Sequence, residues 1–250
     1  TYKPNRRADA TGTITLNNRN NAFVLKEGVE LYGGFIGTEL FKHHRNYLLN
    51  IVILSGDIGI VGVSTYNCYH VVVRSDNTYQ TVFGGITVQR CMANGASSIT
   101  VNTYPISQKS GGGIYSMMDN VSFTNCIIQN NEALNTGGGL YDSLKAGGQS
   151  GYHTNCIITG NIAGSKGGGV YMGLAFGGLY DCEISNNSAD EGGGIYSYFG
   201  IWAGIFSCRI INNNSTSDGG GIKSIISDQF TFYDNIISGN SAGGSGGGMH

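Results

Sequence analysis

The chain has 250 residues, of which 42 are glycine and only 2 are proline, and its formal net charge is −2. Collagen is excluded because it needs proline beside glycine, and disorder is excluded because 15 tyrosines and 10 phenylalanines accompany a charged fraction of only 12%. No basic run and no long apolar stretch exists, so we expect no nucleic-acid partner, no polybasic membrane anchor and no membrane-spanning segment in this chain.

Residues 1–85 show no regular repeat, and we expect them to form irregular opening coils of the fold described below. Regular coils are predicted over residues 86–250, beginning at Gly85-Ile86-Thr87-Val88. No capping helix is apparent at either end of the sequence. A solenoid with open ends exposes unpaired backbone groups, so we expect the chain to be a fragment of a longer protein. End-to-end stacking of subunits is the alternative.

A glycine triplet recurs six times in the second half of the chain, every 25–30 residues. Each triplet is followed by one aliphatic residue, and in the first four copies tyrosine comes next, at Tyr115, Tyr141, Tyr171 and Tyr196. The six triplets are Gly111–Gly113, Gly137–Gly139, Gly167–Gly169, Gly192–Gly194, Gly219–Gly221 and Gly246–Gly248. A repeat of this length predicts stacked structural units.

A second pattern precedes the second to sixth triplets. A cysteine slot is followed two residues later by isoleucine, a spacing that puts both side chains on one face of a β-strand. Because the residue between them varies freely, we interpret the invariant pair as a core ladder. Its members are Cys126, Cys156, Cys182, Cys208, Ile128, Ile158, Ile184, Ile210 and Ile237, with Asn235 in the last cysteine slot.

An asparagine follows each cysteine slot by five residues. This turn ladder consists of Asn131, Asn161, Asn187, Asn213 and Asn240, and Asn214 could replace Asn213 because that copy is one residue longer. A catalytic role is less plausible than a structural one, since asparagine tolerates the left-handed αL conformation and its amide can bond along a stack.

Strand periodicity, glycine corners and the repeat length together predict an all-β fold, a right-handed parallel β-helix solenoid. Residues 1–250 are expected to form one such helix of about nine coils of 25–30 residues. Equivalent residues would then lie above one another at the parallel-strand spacing of ~4.8 Å.

The pattern Asn-Cys-x-Ile-x-x-Asn-x-Ala, followed by Gly-Gly-Gly-Ile-Tyr, resembles right-handed β-helix repeats of the pectin-lyase-like superfamily. It is most similar to secreted bacterial surface proteins with polymorphic-outer-membrane-type repeats. The segments Tyr32–Glu39, Arg45-Asn46 and Ile53–Ile58 resemble the opening rungs of that group. The resemblance implies an extracellular or cell-surface location more firmly than it implies an activity.

The six cysteines invite a disulfide interpretation, because an even count is common in secreted chains. Four of them occupy one inward slot, where a small apolar side chain suits the stack, so we predict buried free thiols. A disulfide between neighbouring coils is the alternative. No C-x-x-C spacing supports a zinc site.

Enzymes on this fold group several acidic residues, and glycoside hydrolysis needs two facing carboxylates. In the regular coils the acidic residues are scattered; Asp181 and Asp234 share one slot but lie two coils apart. Arg209 is expected to pair with Glu183, and neither His153 nor His250 has a carboxylate companion in the pattern. We therefore predict no catalytic, cofactor-binding or metal-binding residue. An enzyme would require Asp57 or Glu39 to meet other acidic residues in a groove.

Outward aromatic residues are the best candidates for an interaction surface, because such rows can contact sugar rings or proteins. The candidates are Tyr180, Phe206, Tyr233, Trp202, Tyr198 and Phe199. The row that begins at Tyr115 is interpreted instead as a stack that stiffens the ladder.

The sequence therefore predicts a secreted, non-catalytic structural or adhesive surface module without a cofactor. Its expected partners are carbohydrate or protein at a cell surface, or copies of itself. Two alternatives stay open: a subunit of a self-assembling filament or matrix, and a polysaccharide lyase or glycoside hydrolase.

Overall fold

A computed structural model describes residues 1–10, 13–75, 80–117, 121–143, 151–173, 177–198, 204–225 and 230–250. Two 3-10 helices occur in these residues, at Lys42–His44 and Ser64–Tyr66. The strands, numbered along the chain, are β1 Phe23–Val24, β2 Glu30–Tyr32, β3 Val52–Ser55, β4 Val72–Arg74, β5 Thr81–Gly84, β6 Ile86–Gln89, β7 Met92–Ala93, β8 Ser98–Val101, β9 Tyr104–Ser107, β10 Ile114–Met117, β11 Val121–Thr124, β12 Ile127–Gln129, β13 Glu132–Ala133, β14 Leu140–Ser143, β15 Tyr152–Thr154, β16 Ile157–Thr159, β17 Ile162–Ala163, β18 Val170–Gly173, β19 Gly178–Tyr180, β20 Glu183–Ser185, β21 Ser188–Ala189, β22 Ile195–Tyr198, β23 Gly204–Phe206, β24 Arg209–Ile211, β25 Asn214–Ser215, β26 Ile222–Ile225, β27 Thr231–Tyr233, β28 Ile236–Ser238 and β29 Ser241–Ala242.

Four parallel sheets run along the molecule. Sheet 1 has the order β1-β4-β10-β14-β18-β22-β26, and sheet 2 has the order β2-β5-β11-β15-β19-β23-β27. Sheet 3 has the order β28-β24-β20-β16-β12-β6-β3, and sheet 4 has the order β29-β25-β21-β17-β13-β7. Each coil contributes one strand to each sheet in turn, except that the first coil has no strand in sheet 4 among the described residues. The chain is therefore a parallel β-helix, as predicted.

Equivalent residues of successive coils pair in register. Ile128 pairs with Ile158, Ile158 with Ile184, Ile184 with Ile210, and Ile210 with Ile237. The first four of these isoleucines are fully buried, in a core that also contains the six cysteines. The predicted stacking of identical side chains inside a coiled wall is therefore present.

The described residues place seven strands in each of sheets 1 to 3, fewer than the nine coils expected from the length. The difference arises in the first 113 residues, where long segments leave the sheets. Residues 33–51 and 56–71 connect β2, β3 and β4 through loops and the two 3-10 helices. Residues 98–107 form the antiparallel hairpin β8–β9, which packs on the outer side of Val73 and Tyr115.

The asparagine ladder fills the corner between sheets 3 and 4. Asn161 illustrates it: its Nδ2 donates to Ile128 O at 2.9 Å and to Asn187 Oδ1 at 3.0 Å, and its backbone N–H donates to Asn187 Oδ1 at 2.9 Å. Asn213, rather than Asn214, occupies the slot in its coil, because Asn213 makes the same contacts and is 1% exposed.

The expectation that these asparagines adopt the αL conformation is wrong. The residue before each of them has positive φ instead, and the same holds before each cysteine slot. These residues are Asn125, Asn130, Asn155, Gly160, Asp181, Asn186, Ser207, Asn212, Asp234 and Gly239. The bend therefore comes one residue earlier, which leaves the ladder side chain free to point inward and bond the preceding coil.

The glycine triplets follow from two separate constraints. The first glycine of each has positive φ, as at Gly137 with φ 65°. The third faces the asparagine ladder: a Cβ on Gly139 would lie 2.7 Å from Gly169 O and 2.9 Å from Asn161 Cγ. Only glycine leaves room for the stacked amides at this position.

Candidate functional site

Sheet 2 carries the outward aromatic residues. In β11 and β15 the buried side chains alternate with exposed or half-buried ones, so Val121, Phe123 and His153 point inward. From β11 to β27 the outward positions hold no charged residue: they are Ser122, Thr124, Tyr152, Thr154, Gly178, Tyr180, Gly204, Phe206, Thr231 and Tyr233. The result is an uncharged surface that crosses five strands, which we call the aromatic face.

The rings of Tyr180 and Phe206 stack on this face with centroids 4.6 Å apart and an interplanar angle of 11°. The Phe206 ring extends along its own strand to the position above Gly204, where a Cβ would collide with ring atoms Cε2 and Cζ. Tyr180 lies in the same way near Gly178. Because the two rings cover each other, they present mainly edges to a partner.

Tyr152 and Tyr233 lie on either side of this pair. Tyr152 is 58% exposed and contacts Tyr180 edge-on, with centroids 5.4 Å apart, and Tyr233 is 69% exposed beside Phe206. The sequence analysis missed Tyr152, because its slot holds Gly178 and Gly204 in the next two coils. The available signal was a tyrosine in an outward slot that holds glycine in the next two coils, where the rings of Tyr180 and Phe206 lie near the glycines.

The other predicted members of the surface do not all lie on this face. Tyr198 is 37% exposed at the end of β22 in sheet 1, where it pairs with Gly173 and Ile225. Phe199 and Trp202 lie outside the described residues. The structure therefore brings together Tyr180, Phe206 and Tyr233, and it puts Tyr198 on a different sheet.

The tyrosine row of sheet 1 is a continuous stack. Centroid distances are 4.6 Å for Tyr115–Tyr141, 5.1 Å for Tyr141–Tyr171 and 5.7 Å for Tyr171–Tyr196, and the last two pairs are parallel within 6°. Tyr115 is only 3% exposed under the β8–β9 hairpin, and Tyr196 is 1% exposed. Burial raises the pKa of Tyr171 to about 12. This row stabilises the wall rather than offering an open surface.

The expectation that His153 and His250 lack carboxylate companions is wrong. His153 Nε2 lies 3.3 Å from Asp142 Oδ2, and both side chains are almost fully buried in the core. The Phe123 N–H points at His153 Nδ1 at 3.4 Å, which leaves Nε2–H to donate to Asp142. His250 Nδ1 accepts a hydrogen bond from Lys223 Nζ at 2.8 Å, and its Nε2 lies 3.9 Å from Asp218 Oδ2. Aligning the repeats could not pair Asp142 with His153, because the two residues belong to different sheets.

The remaining acidic residues have mainly structural contacts. Asp181 and Asp234 occupy the αL corner positions. Arg209 Nε lies 3.6 Å from Glu183 Oε2, the predicted outward pair, which is exposed and contributes ~0.5 kcal/mol. Glu39 accepts backbone N–H bonds from Ile36, Gly37 and Thr38, and these bonds lower the pKa of its carboxyl group. Glu39 therefore stabilises the loop to which it belongs and is not directed into a groove by these bonds.

All six cysteines are free and buried, in agreement with the thiol prediction. Within the described residues, no three side chains of His, Cys, Asp or Glu are arranged to hold a metal ion. In the same part of the chain, no helix has both the length and the apolar character that crossing a membrane requires.

Comparison with known proteins gives one match. A family model, the Chlamydia polymorphic membrane protein (Chlamydia_PMP) repeat, matches residues 181–198. These residues run from the αL corner at Asp181 through the cysteine slot, a ladder asparagine and a glycine triplet to the end of β22. No curated protein matches the chain, and no solved structure matches it. The chain is a parallel β-helix that carries a repeat of the polymorphic membrane protein type and resembles such proteins.

Proposed function

We propose that the chain is a non-catalytic module, structural or adhesive, of a secreted protein exposed at a cell surface. The observation that carries this proposal is the aromatic face, which joins large exposed rings to an uncharged surface on a stiff sheet. Exposed apolar patches rimmed by polar residues commonly mark interaction sites. The repeat shared with polymorphic membrane proteins supports the surface location.

The geometry of the rings favours a protein partner for this face. Sugar rings bind best to open aromatic faces, whereas Tyr180 and Phe206 cover each other at 4.6 Å. Ring edges, tyrosine hydroxyls and threonine hydroxyls suit the mixed apolar and polar surface of a protein. Strands β11 to β23 of sheet 2 are hydrogen-bonded to neighbours on both sides and β27 is hydrogen-bonded to β23, so the face is largely preorganised and loses little entropy on binding.

A binding experiment with exposed tyrosines tests the proposal. The double variant Tyr152→Ser/Tyr233→Ser removes rings that are 58% and 69% exposed, so the fold should persist. We expect its affinity for immobilised extracellular-matrix proteins and for cultured cells to fall by about tenfold or more. The matched control is Tyr2→Ser, which removes a tyrosine that is 61% exposed and pairs with Leu54 of β3, outside the aromatic face. Equal binding by all three proteins would refute the role of this face.

A self-assembling filament is the second candidate, because copies of the chain could bury the same aromatic face against each other. Light scattering at increasing protein concentration separates the two. A monomer at micromolar concentration supports the adhesive module. Particle mass that increases with concentration in the wild type but not in the double variant supports assembly.

A carbohydrate-active enzyme is the third candidate, favoured by a cleft that Asp57 and Glu132 both line. Incubation with acidic and neutral polysaccharides, followed by an assay for new reducing ends and unsaturated products, tests it. We expect no product above the level of a Glu132→Gln variant.

A further inference from the structure

A polar cleft of about 280 Å³ lies on the side of the solenoid near its N-terminal coils. Three successive coils contribute to it, since β3, β6 and β12 are neighbours in sheet 3. Asp57, Ser64 and Asn67 come from the segment after β3, Arg90 follows β6, and Asn130 and Glu132 follow β12. None of these residues belongs to the aromatic face.

Asp57 is the most buried charged group of the cleft, with a side chain that is 4% exposed. Both of its carboxylate oxygens accept from the Gly62 N–H, at 3.3 and 3.2 Å. Arg90 Nη1 lies 3.4 Å from Asp57 Oδ2, which is long for a charge-assisted hydrogen bond. The carboxylate is therefore oriented but retains capacity to accept further hydrogen bonds.

Asn67 provides the observation that points to a ligand. The residue is 6% exposed, and its Oδ1 is buried without a hydrogen-bond partner. Its backbone is held in place by Arg19, whose Nε donates to Asn67 O at 2.7 Å and whose Nη2 donates to Met92 O at 2.8 Å. Buried polar atoms are nearly always paired, so an unpaired acceptor on a residue that lines the cleft calls for a donor from outside the chain.

The other lining groups narrow the chemistry of that donor. Glu132 is half-buried, and within the described part of the chain its carboxylate accepts no hydrogen bond. Because the cleft is lined by two carboxylates and one guanidinium, an anionic ligand is disfavoured. A cation is disfavoured by Arg90 beside Asp57. The cleft offers acceptors at Asp57, Asn67 and Glu132 and donors at Arg90 and Ser64. This mixture suits a ligand whose groups both donate and accept hydrogen bonds, as sugar hydroxyls do.

We propose that this cleft binds one hydroxylated sugar ring, with two ring hydroxyls donating to Asn67 Oδ1 and to a carboxylate while Arg90 donates to ring oxygens. The volume is sufficient for a single ring. This inference rests on the proposed surface function for its biological role, and it names carbohydrate as a second ligand class beside the protein partner of the aromatic face.

Titration of the intact chain with the methyl glycosides of glucose, galactose, mannose and N-acetylglucosamine, followed by calorimetry and by chemical shifts, tests the proposal. We expect at least one to bind with a dissociation constant on the order of 1 mM, as is reasonable for so small a ligand. Asn67→Leu should weaken that binding by about tenfold or more, because a site that hydrogen-bonds a hydroxyl depends strongly on the bond.

The same variant separates a binding role from a structural one. Leucine removes the unpaired buried oxygen without changing the volume greatly, so Tm should stay the same or rise while binding is lost. A fall in both would indicate that Asn67 serves only the fold, and would overturn the proposal. Glu132→Gln should also weaken binding, whereas Glu183→Gln should not, because Glu183 lies in β20, two strands from β12, and does not line the cleft.

Three further outcomes would overturn the inference: no binding of any glycoside, equal binding by Asn67→Leu, or binding of calcium chloride or inorganic phosphate at this cleft instead. Failure here is distinguishable from failure of the proposed function. If the glycosides do not bind but Tyr152→Ser/Tyr233→Ser still loses attachment to matrix proteins, the surface function stands and only the sugar site is rejected.

Discussion

Asn235 replaces a cysteine in the core ladder by making the same two contacts with the coil before it. Its Oδ1 accepts from the Cys208 N–H at 2.8 Å, and its Nδ2 donates to Ile205 O at 2.7 Å. Two coils earlier, Cys182 Sγ likewise accepts from a backbone N–H, that of Cys156, and donates to a carbonyl oxygen of the preceding coil, that of His153. Cysteine and asparagine are therefore interchangeable here because both donate and accept toward the preceding coil.

This equivalence predicts the effects of substitution at Cys182. Its Sγ accepts from the Cys156 N–H at 3.4 Å and lies 3.4 Å from His153 O. Cys182→Val leaves the buried Cys156 N–H without its partner and should cost about 1–3 kcal/mol. Cys182→Asn should cost less, and urea unfolding of both variants measures the difference. Equal or greater loss in the asparagine variant would contradict the role assigned to the thiol.

Gly204 is expected to depend on its neighbour Phe206. A Cβ at this position meets the Phe206 ring, so Gly204→Ala should lower the free energy of unfolding by about 1–3 kcal/mol. In a Phe206→Ala background the ring is absent and the same change should cost distinctly less. A double-mutant cycle measures this coupling, and additive effects would show that the ring does not rest against the glycine.

His70 makes the stability depend on pH. Burial lowers the pKa of this histidine to about 4, while its Nδ1 lies 2.8 Å from Gly111 O. Since the unfolded chain binds the proton near pH 6.5, the folded state is favoured above that pH and loses stability as the pH falls toward 4. The total loss is on the order of 3 kcal/mol.

The measurement is urea unfolding at pH 7, 5.5 and 4.5 for the wild type and for His70→Gln. The variant should be less stable at pH 7 but should lose less stability on acidification. Parallel curves for the two proteins would assign the pH dependence to other groups.

Thiol chemistry provides a further check on the core. Burial raises the pKa of Cys68 to about 12 and that of Cys91 well above its ordinary value, so neither forms a thiolate at pH 8. We expect the native protein to resist a thiol-specific reagent and the unfolded protein to react at all six cysteines. Fewer than six reactive thiols after unfolding without reductant would indicate a disulfide.

The structure also shows which contacts sequence reasoning could predict and which it could not. In a parallel β-helix the neighbour across the sheet is the equivalent residue of the next repeat, so aligning the repeats is enough to pair Ile158 with Ile184 or Tyr180 with Phe206. The prediction assigned the αL conformation to Asn131, one position too late, because Asn130 and Asn131 are the same residue type in adjacent slots.

Contacts between different sheets could not be obtained by aligning repeats. Asp142 and His153 belong to sheets 1 and 2, and they meet because both occupy inward positions of their strands.

From its own pattern, the sequence determined the fold, the register and the core ladder, because identical coils at a constant spacing must stack like on like. The tertiary structure alone decided that Tyr152 belongs to the aromatic face while Tyr198 lies on sheet 1, and how Asp57, Asn67, Arg90 and Glu132 come to line one cleft. Those residues belong to non-equivalent positions, and the loops that join them follow no repeat. Their meeting therefore depends on three-dimensional packing, which no spacing along the chain encodes.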